Sequence, residues 1–216
     1  DLTALLERAE QIPGLERVRL GSLEADTLTG DEIQRLKACE KLCPHFHLSL
    51  QSGSDAVLKR MKRRYTSAEY LALVEKLRNV FPGCAITTDI MVGFPGETDE
   101  EFAESMAFAE KVGFAKIHVF PYSIRKGTVA AMRTNQVVPQ VKSARAKEMS
   151  ALADRLERQF LESQVGTVQT VLIEKRTSPD YCSGFTGSYI PVRIYGEDIP
   201  RHSLVQVKLT SADGNY

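Results

Sequence analysis

The segment HFHLSLQSGSDAVLKRMKRRYT, residues 45–66, carries the pattern that decides the fold. His45 to Gln51 alternates apolar and polar side chains, the period-two signature of a strand. Ser52-Gly53 then turns the chain, and Ser54 and Asp55 open a helix that brings up Lys59, Arg60, Lys62, Arg63 and Arg64. A strand that ends on a polar residue and feeds directly into a helix is one βα unit. The unit recurs downstream in TTDIMVGFPGETDEEF, residues 87–102. Ala85 to Val92 reads as a strand, Gly-Phe-Pro-Gly-Glu breaks it, and Asp99, Glu100 and Glu101 form the acidic first turn of a helix reaching Gly113. Phe102, Met106 and Ala109 are its inward residues, and Ala115 to Phe120 is the next strand.

Upstream, Leu2, Leu5, Leu6, Ala9 and Ile12 recur at helical spacing. Val18-Arg19-Leu20 reads as a short strand, and Thr29 or Asp31 can cap a helix running to about Lys41. Ser67 opens a longer helix that Pro82-Gly83 ends. Four strands parted by helices predict an α/β fold with a parallel sheet. Ligands of such sheets bind at the C-terminal strand ends. The polar residues there are Ser22 to Glu24, Gln51-Ser52, Asp89 with the Gly93–Glu97 turn, and Tyr122-Ser123.

From Pro139 to about Gln164 the pattern is one charged helix with Leu152, Leu156, Phe160 and Leu161 as its inner stripe. Beyond Gly166 helical periodicity stops. Val168 to Ile173, Tyr189 to Val192 and Leu204 to Val207 read as short strands parted by Gly, Ser, Pro and Asp, which predicts a small β-barrel. The expected boundary therefore divides residues 1–165 from residues 166–216.

The 28 basic side chains are balanced by 28 acidic ones, which argues against nucleic-acid binding by bulk charge and leaves room for a local basic patch. No apolar run approaches the roughly 20 residues of a membrane span, so no membrane partner is expected. The opening DLTALLERAE has no signal-peptide architecture and no initiator Met, so the chain is expected to begin inside a longer protein. Four scattered cysteines read as reduced thiols of a cytoplasmic protein. Cys39 and Cys43 have the first spacing of a C-x3-C-x2-C cluster triad, but its third position is Phe46. Two thiols cannot hold three irons of a cubane, which leaves them as small buried side chains.

Each chemical motif has a plain structural reading beside it. The basic run after Gln51 reads as a solvated helix. The Gly-Phe-Pro-Gly-Glu segment reads as a tight turn, although its glycines also let backbone approach a ligand. Asp89 is different, because a carboxylate within an apolar strand needs a partner or a ligand.

Taken together, EADT (24–27), LQSGSDAVLKRMKRRYT (50–66), TDIMVGFPGET (88–98) and HVFPYSIRKGTVAAM (118–132) resemble the methylthiotransferase branch of the radical S-adenosylmethionine (SAM) superfamily, in order and spacing. The resemblance spans almost the whole chain. HFHLSLQSG with HVFPYS is most similar to the group acting on threonylcarbamoyl-adenosine of tRNA. The alternatives are the groups acting on isopentenyl-adenosine of tRNA or on a ribosomal-protein aspartate, and a non-catalytic RNA-binding module.

The resemblance implies a partial parallel (βα) barrel, here strands three to six, followed by an RNA-binding TRAM barrel. It implies SAM, two 4Fe–4S clusters on cysteines upstream of Asp1, tRNA as partner, a monomer, and no turnover by this portion alone. For SAM it implies Glu24, Gln51, Arg63 and Asp89, with Ser22, Gly93 and Gly96 at the same strand ends. A carboxylate suits the α-amino group of SAM and Arg63 suits its α-carboxylate. Gln51 can bond either, Asp89 suits a ribose hydroxyl, and the GFPGE turn would line the adenine. His47, Tyr122 and Ser123 are candidates to line the substrate cavity, with packing as the competing role. In the tail, Tyr189 and Arg193 with Phe185 are the expected RNA face. The five basic side chains there are matched by five acidic ones, so a purely structural barrel is the alternative.

Overall fold

A computed structural model of the chain describes residues 1–196 and 199–214. Three helices begin with the same device. Thr29, Thr66 and Thr98 each accept from the third backbone N–H of α2 (Gly30–Lys37), α4 (Ser67–Val80) and α5 (Asp99–Val112), while Glu32, Glu69 and Glu101 bond back to the cap. The remaining helices are α1 (Leu2–Glu10), α3 (Asp55–Arg60) and the long α6 (Pro139–Gln164), which starts with proline at its first position.

Strands β1 (Ser22–Glu24), β2 (His45–Ser49), β3 (Ala85–Val92) and β4 (Lys116–Pro121) form a parallel sheet in that order. Its two faces differ. Leu23, Phe46, Leu48, Ile86, Ile90, Val92 and Ile117 enter one core with Ile33, Leu36, Tyr70, Leu77, Phe102, Ala109, Met149 and Leu156 of the helices. The alternate positions are mostly polar: Ser22, Glu24, His45, His47, Ser49, Thr87, Asp89, Lys116 and His118, with Ala85, Met91 and Phe120 as the apolar exceptions. A parallel sheet covered by helices on both faces would carry apolar residues at nearly every position. One apolar and one polar face mean that the second face lines a cavity, as the inner wall of a barrel does.

The second sheet is antiparallel, with β5 (Val168–Arg176), β6 (Tyr181–Thr186), β7 (Pro191–Tyr195) and β8 (Leu204–Lys208) in the order β7-β6-β5-β8. Val171, Ile173, Cys182, Ile190 and Val192 pack with Leu161 of α6 in a separate small core. Among the described residues β7 and β8 are the edges of an open sheet, where a small barrel was expected.

Four local expectations are corrected. Val18 makes only an isolated bridge to Leu42, and regular pairing starts at Ser22. The intervening segment serves the other sheet instead: Arg17 donates to the carbonyls of Thr170 and Phe185, and Arg19 lies over the Tyr189 ring. Helix α2 stops at Lys37, because Lys41 turns back to donate through its amide and Nζ to Glu10. Helix α3 stops at Arg60, and Lys62 adopts φ +62°, so Lys62, Arg63 and Arg64 lie in a loop. Strand β6, which reads as a Ser-Gly loop, is strand because its small residues fit a bulge: a Cβ on Gly184 would lie 1.9 Å from the Leu172 carbonyl oxygen.

Candidate functional site

The C-terminal ends of β1 to β3 carry the first cluster. Gln51 follows β2 and exchanges backbone bonds with β3, its amide reaching the Asp89 carbonyl at 2.8 Å and its carbonyl the Met91 amide at 2.9 Å. It holds φ +71°, a costly conformation for a side chain with a Cβ. The turn it makes lays Ser52, Gly53 and Ser54 on α5, where Ser105 and Glu104 bond them. Arg63 Nη1 donates to both Glu24 oxygens at 2.8 Å. Gln51 and Arg63 line one cavity of about 320 Å³ with Arg60, Lys62, Phe94 and Arg133, a basic wall. Arg60 is clamped by Glu101, whose carboxyl that bond holds below the usual carboxylate range.

The Gly-Phe-Pro-Gly-Glu turn is closed from inside. Glu97 Oε1 accepts from the Gly93 amide at 2.8 Å and from Arg145 Nη1 at 2.7 Å, while Arg145 Nη2 reaches Asp99 at 2.6 Å. Burial pushes the Glu97 carboxyl up, against the pull of the Gly93 amide and Arg145. Gly93 and Gly96 hold φ +71° and +81°, a conformation that favours glycine at both positions. Of the turn, Phe94 faces the basic cavity and packs on Tyr122 with ring centres 5.4 Å apart. Tyr122 is buried beneath it, its hydroxyl without a hydrogen-bond partner among the described residues, and Ser123 is exposed.

A second cavity, of about 400 Å³, opens between the polar sheet face and the antiparallel sheet. Ser22, His47 and Tyr189 line it, with Arg19, His45, Thr87, Lys116, Glu157 and His118. Asp89 turns toward it, Oδ2 lying 3.4 Å from His47 Nε2. Tyr189 stacks on Phe185 at 4.5 Å and meets His45 edge-on at 5.6 Å. Burial, then Arg19, push the His45 imidazole down to about 4. Arg193 stands elsewhere, its guanidinium 5.7 Å from the centre of the Tyr181 ring.

The residues singled out in the sequence thus divide. Glu24, Gln51 and Arg63 come together with the Gly93–Gly96 turn beside them, while Ser22, His47 and Tyr189 line the second cavity and Asp89 meets it only through His47. Sequence reasoning missed His118, Thr87 and Arg145. His118 had one available signal, its alternation with Lys116 and Phe120 on β4; Arg145 had none.

Cys39, Cys43, Cys84 and Cys182 are all buried. Burial raises the thiols of Cys39 and Cys43, and that of Cys84 to about 11, so the thiolate a cluster needs is disfavoured at each. Phe46, at the third position of the apparent triad, is fully buried in the core. These cysteines do not fit an iron–sulfur cluster. The strained Gln51, the Glu24–Arg63 pair and the tight glycine turn do fit SAM, whose amino-acid end carries both charges.

A family model described as the Radical SAM superfamily matches residues 1–109. The chain belongs to this superfamily. Among curated proteins, this radical SAM chain is 42% identical over 176 residues to a threonylcarbamoyladenosine tRNA methylthiotransferase of Chlamydia pneumoniae, covering 82% of the chain and 42% of that relative. It is 38% identical over 214 residues to a tRNA-2-methylthio-N(6)-dimethylallyladenosine synthase of Symbiobacterium thermophilum, covering 98% of the chain and 45% of the relative. The chain thus spans less than half the length of these two proteins. Coproporphyrinogen III oxidase of Escherichia coli, a radical SAM enzyme, superposes with a TM-score of 0.59 at 19% identity, over 74% of this chain and 38% of that one. That likeness extends to the fold. Among the described residues no helix is long and apolar enough to cross a membrane.

Proposed function

We propose that this chain is part of a radical SAM methylthiotransferase that adds a methylthio group to C2 of threonylcarbamoyl-adenosine in tRNA. The observation that carries the reading is the meeting of Glu24, Gln51 and Arg63 at the sheet's C-terminal ends, in a chain 42% identical to a relative named for that substrate. Residues 1–165 would supply strands three to six of the barrel. Residues 166–216 would be the TRAM-type module that meets tRNA, with Tyr189 at the junction and Arg193 on the outer strand. The whole enzyme would be a cytoplasmic monomer with two 4Fe–4S clusters, and residues 1–216 alone would give no turnover.

When bound, one SAM would supply the methyl group and a second, reduced by one electron from a cluster, the radical that opens the C–H bond, with sulfur delivered by the auxiliary cluster. The residues of this chain position it. Arg63 would take the α-carboxylate, Glu24 the α-amino group, and Gln51 would bond either end. That arrangement opens the present Arg63–Glu24 contact and replaces each charge with a new counter-charge, so neither is left desolvated and alone. Gly93 and Gly96 would let the turn backbone approach the adenine, with Phe94 against it. Ser22, His47, Tyr122 and Ser123 would shape the space for the modified base, Tyr122 by packing under Phe94. Asp89 was expected on the ribose; its carboxylate turns to His47, so that role rests on the resemblance alone.

The test uses the whole enzyme, reconstituted anaerobically and given SAM, reductant and tRNA bearing threonylcarbamoyl-adenosine. Nucleoside mass spectrometry should show a methylthio gain on that nucleoside. SAM cleavage without the gain would reject the substrate and turn the search to dimethylallyl-adenosine tRNA and the ribosomal-protein aspartate.

A further inference from the structure

His47, Asp89 and His118 stand on three adjacent parallel strands and project from the same polar face, with Asp89 and His118 in register. His47 Nε2 lies 3.4 Å from Asp89 Oδ2. An N–H donating to a carboxylate comes closer, at about 2.7–2.9 Å in its charge-assisted form. Two ligands of one tetrahedral ion, each bonded at about 2.0–2.1 Å, sit about 3.3–3.4 Å apart. The observed gap is the edge of such a tetrahedron.

The third corner is at hand. One ligand atom from each of the three residues falls within 4.8 Å of the others, and the His118 ring centre lies 5.9 Å from that of His47. The His118 side chain is exposed, so its ring is not held by packing. The His47 ring has an outer partner: Nδ1 meets Thr87 Oγ1 at 3.0 Å, and in the tautomer with Nδ1 donating Nε2 is left for the ion. Asp89 and His47 keep 29% and 13% of their side-chain surface accessible, so an ion can reach both.

We propose that His47, Asp89 and His118 form a three-ligand site for a divalent transition-metal ion, with its fourth position open to the cavity between the two sheets. Two imidazoles and one carboxylate select zinc or ferrous-type ions over magnesium and calcium, which take oxygen. The open corner faces a cavity that also holds Lys116 and Tyr189, so the ion would hold an oxygen or nitrogen donor of whatever enters it. The site uses no cysteine and does not depend on the SAM reading. It assigns Asp89 to a metal instead of a ribose.

The test is a cobalt(II) titration of the chelator-treated 216-residue chain, read by visible absorption and repeated with zinc by calorimetry. One ion should bind per chain, with the d–d bands of a four- or five-coordinate nitrogen–oxygen site, and zinc should displace it. His118→Ala should weaken binding at least about 10-fold while leaving the circular dichroism and the metal-free melting temperature unchanged, because its side chain is exposed. Thr87→Val should weaken it about 10-fold as an orienting residue, with the band positions shifted. Zinc should raise the melting temperature of the parent chain and leave that of His118→Ala unmoved. No stoichiometric binding, binding indifferent to His118→Ala, or intense thiolate charge-transfer bands that assign the cobalt to cysteine would each overturn the proposal.

Discussion

Arg145 and Glu97 meet at 2.7 Å with side chains 7% and 1% exposed; Arg63 and Glu24 meet at 2.8 Å with side chains 26% and 51% exposed. The contacts are chemically alike and within 0.1 Å of each other in length. The first pair sits behind the Gly-Phe-Pro-Gly-Glu turn, where its charges are surrounded by protein and by one another. The second faces solvent at the ends of the strands. The comparison separates what builds the site from what would bind in it. A charge pair that water already screens can be exchanged for a ligand at little cost, and a buried one cannot.

The largest effect should come from breaking the inner pair. Arg145→Leu leaves Glu97 buried with only the Gly93 amide as partner, and a buried pair broken on one side costs about 3–5 kcal/mol. Denaturant unfolding of the variant should show that loss, with local opening of the 93–99 turn by hydrogen exchange. A loss below 1 kcal/mol would mean the turn holds itself and the contrast fails.

His45 extends the comparison to the second cavity, where burial and Arg19 hold its imidazole down at about 4 from a usual 6.5. The folded protein keeps His45 neutral while the unfolded chain protonates it first. Its contribution is therefore complete above about pH 6.5, declines as the pH falls, and is gone below about pH 4. The span corresponds to about 3 kcal/mol. Between pH 7 and pH 4 the parent should lose that much more unfolding free energy than His45→Asn, and so show the steeper slope. Equal slopes would show that the junction between the sheets is wet.

Gly96 probes the turn that the inner pair closes. At φ +81° its amide donates to the Asn135 carbonyl at 2.8 Å, and an added Cβ would meet the Asn135 side chain. Gly96→Ala should cost about 1–2 kcal/mol, the penalty of left-handed backbone for an L residue. A neutral result by thermal melting would show that the turn relaxes freely.

Much of this architecture was legible beforehand because local rules and the fold agree. Ala85–Val92, the acidic start of α5 and the whole of α6 have the bounds their periodicity and caps dictate. The meeting of Gln51 with Arg63 could be anticipated only through family resemblance, since 11 residues of turn, helix and loop separate them. Other features left no local trace. Strand β6 is built from Ser183 and Gly184, residues that read as loop until a neighbouring carbonyl demands them. Val18 to Leu20 has strand propensity, yet Arg17 and Arg19 are committed to the other sheet. The partnership of Arg145 with Glu97 spans 48 positions, and no periodicity encodes it.

The outer pair should give the smallest change in stability and the sharpest change in binding. Arg63→Ala removes one exposed contact to Glu24 and should alter unfolding free energy by less than about 1 kcal/mol. Hydrogen bonds to charged groups contribute about 1.5–3 kcal/mol when water is excluded, so losing the clamp on the SAM carboxylate should weaken SAM about 10- to 100-fold. Calorimetry with SAM and with S-adenosylmethionine methyl ester separates the causes. If Arg63 reads the carboxylate, the parent chain should lose affinity for the ester and Arg63→Ala should bind both ligands alike. If the variant still prefers SAM, the carboxylate is held elsewhere on the basic wall, with Arg133 as the next residue to remove.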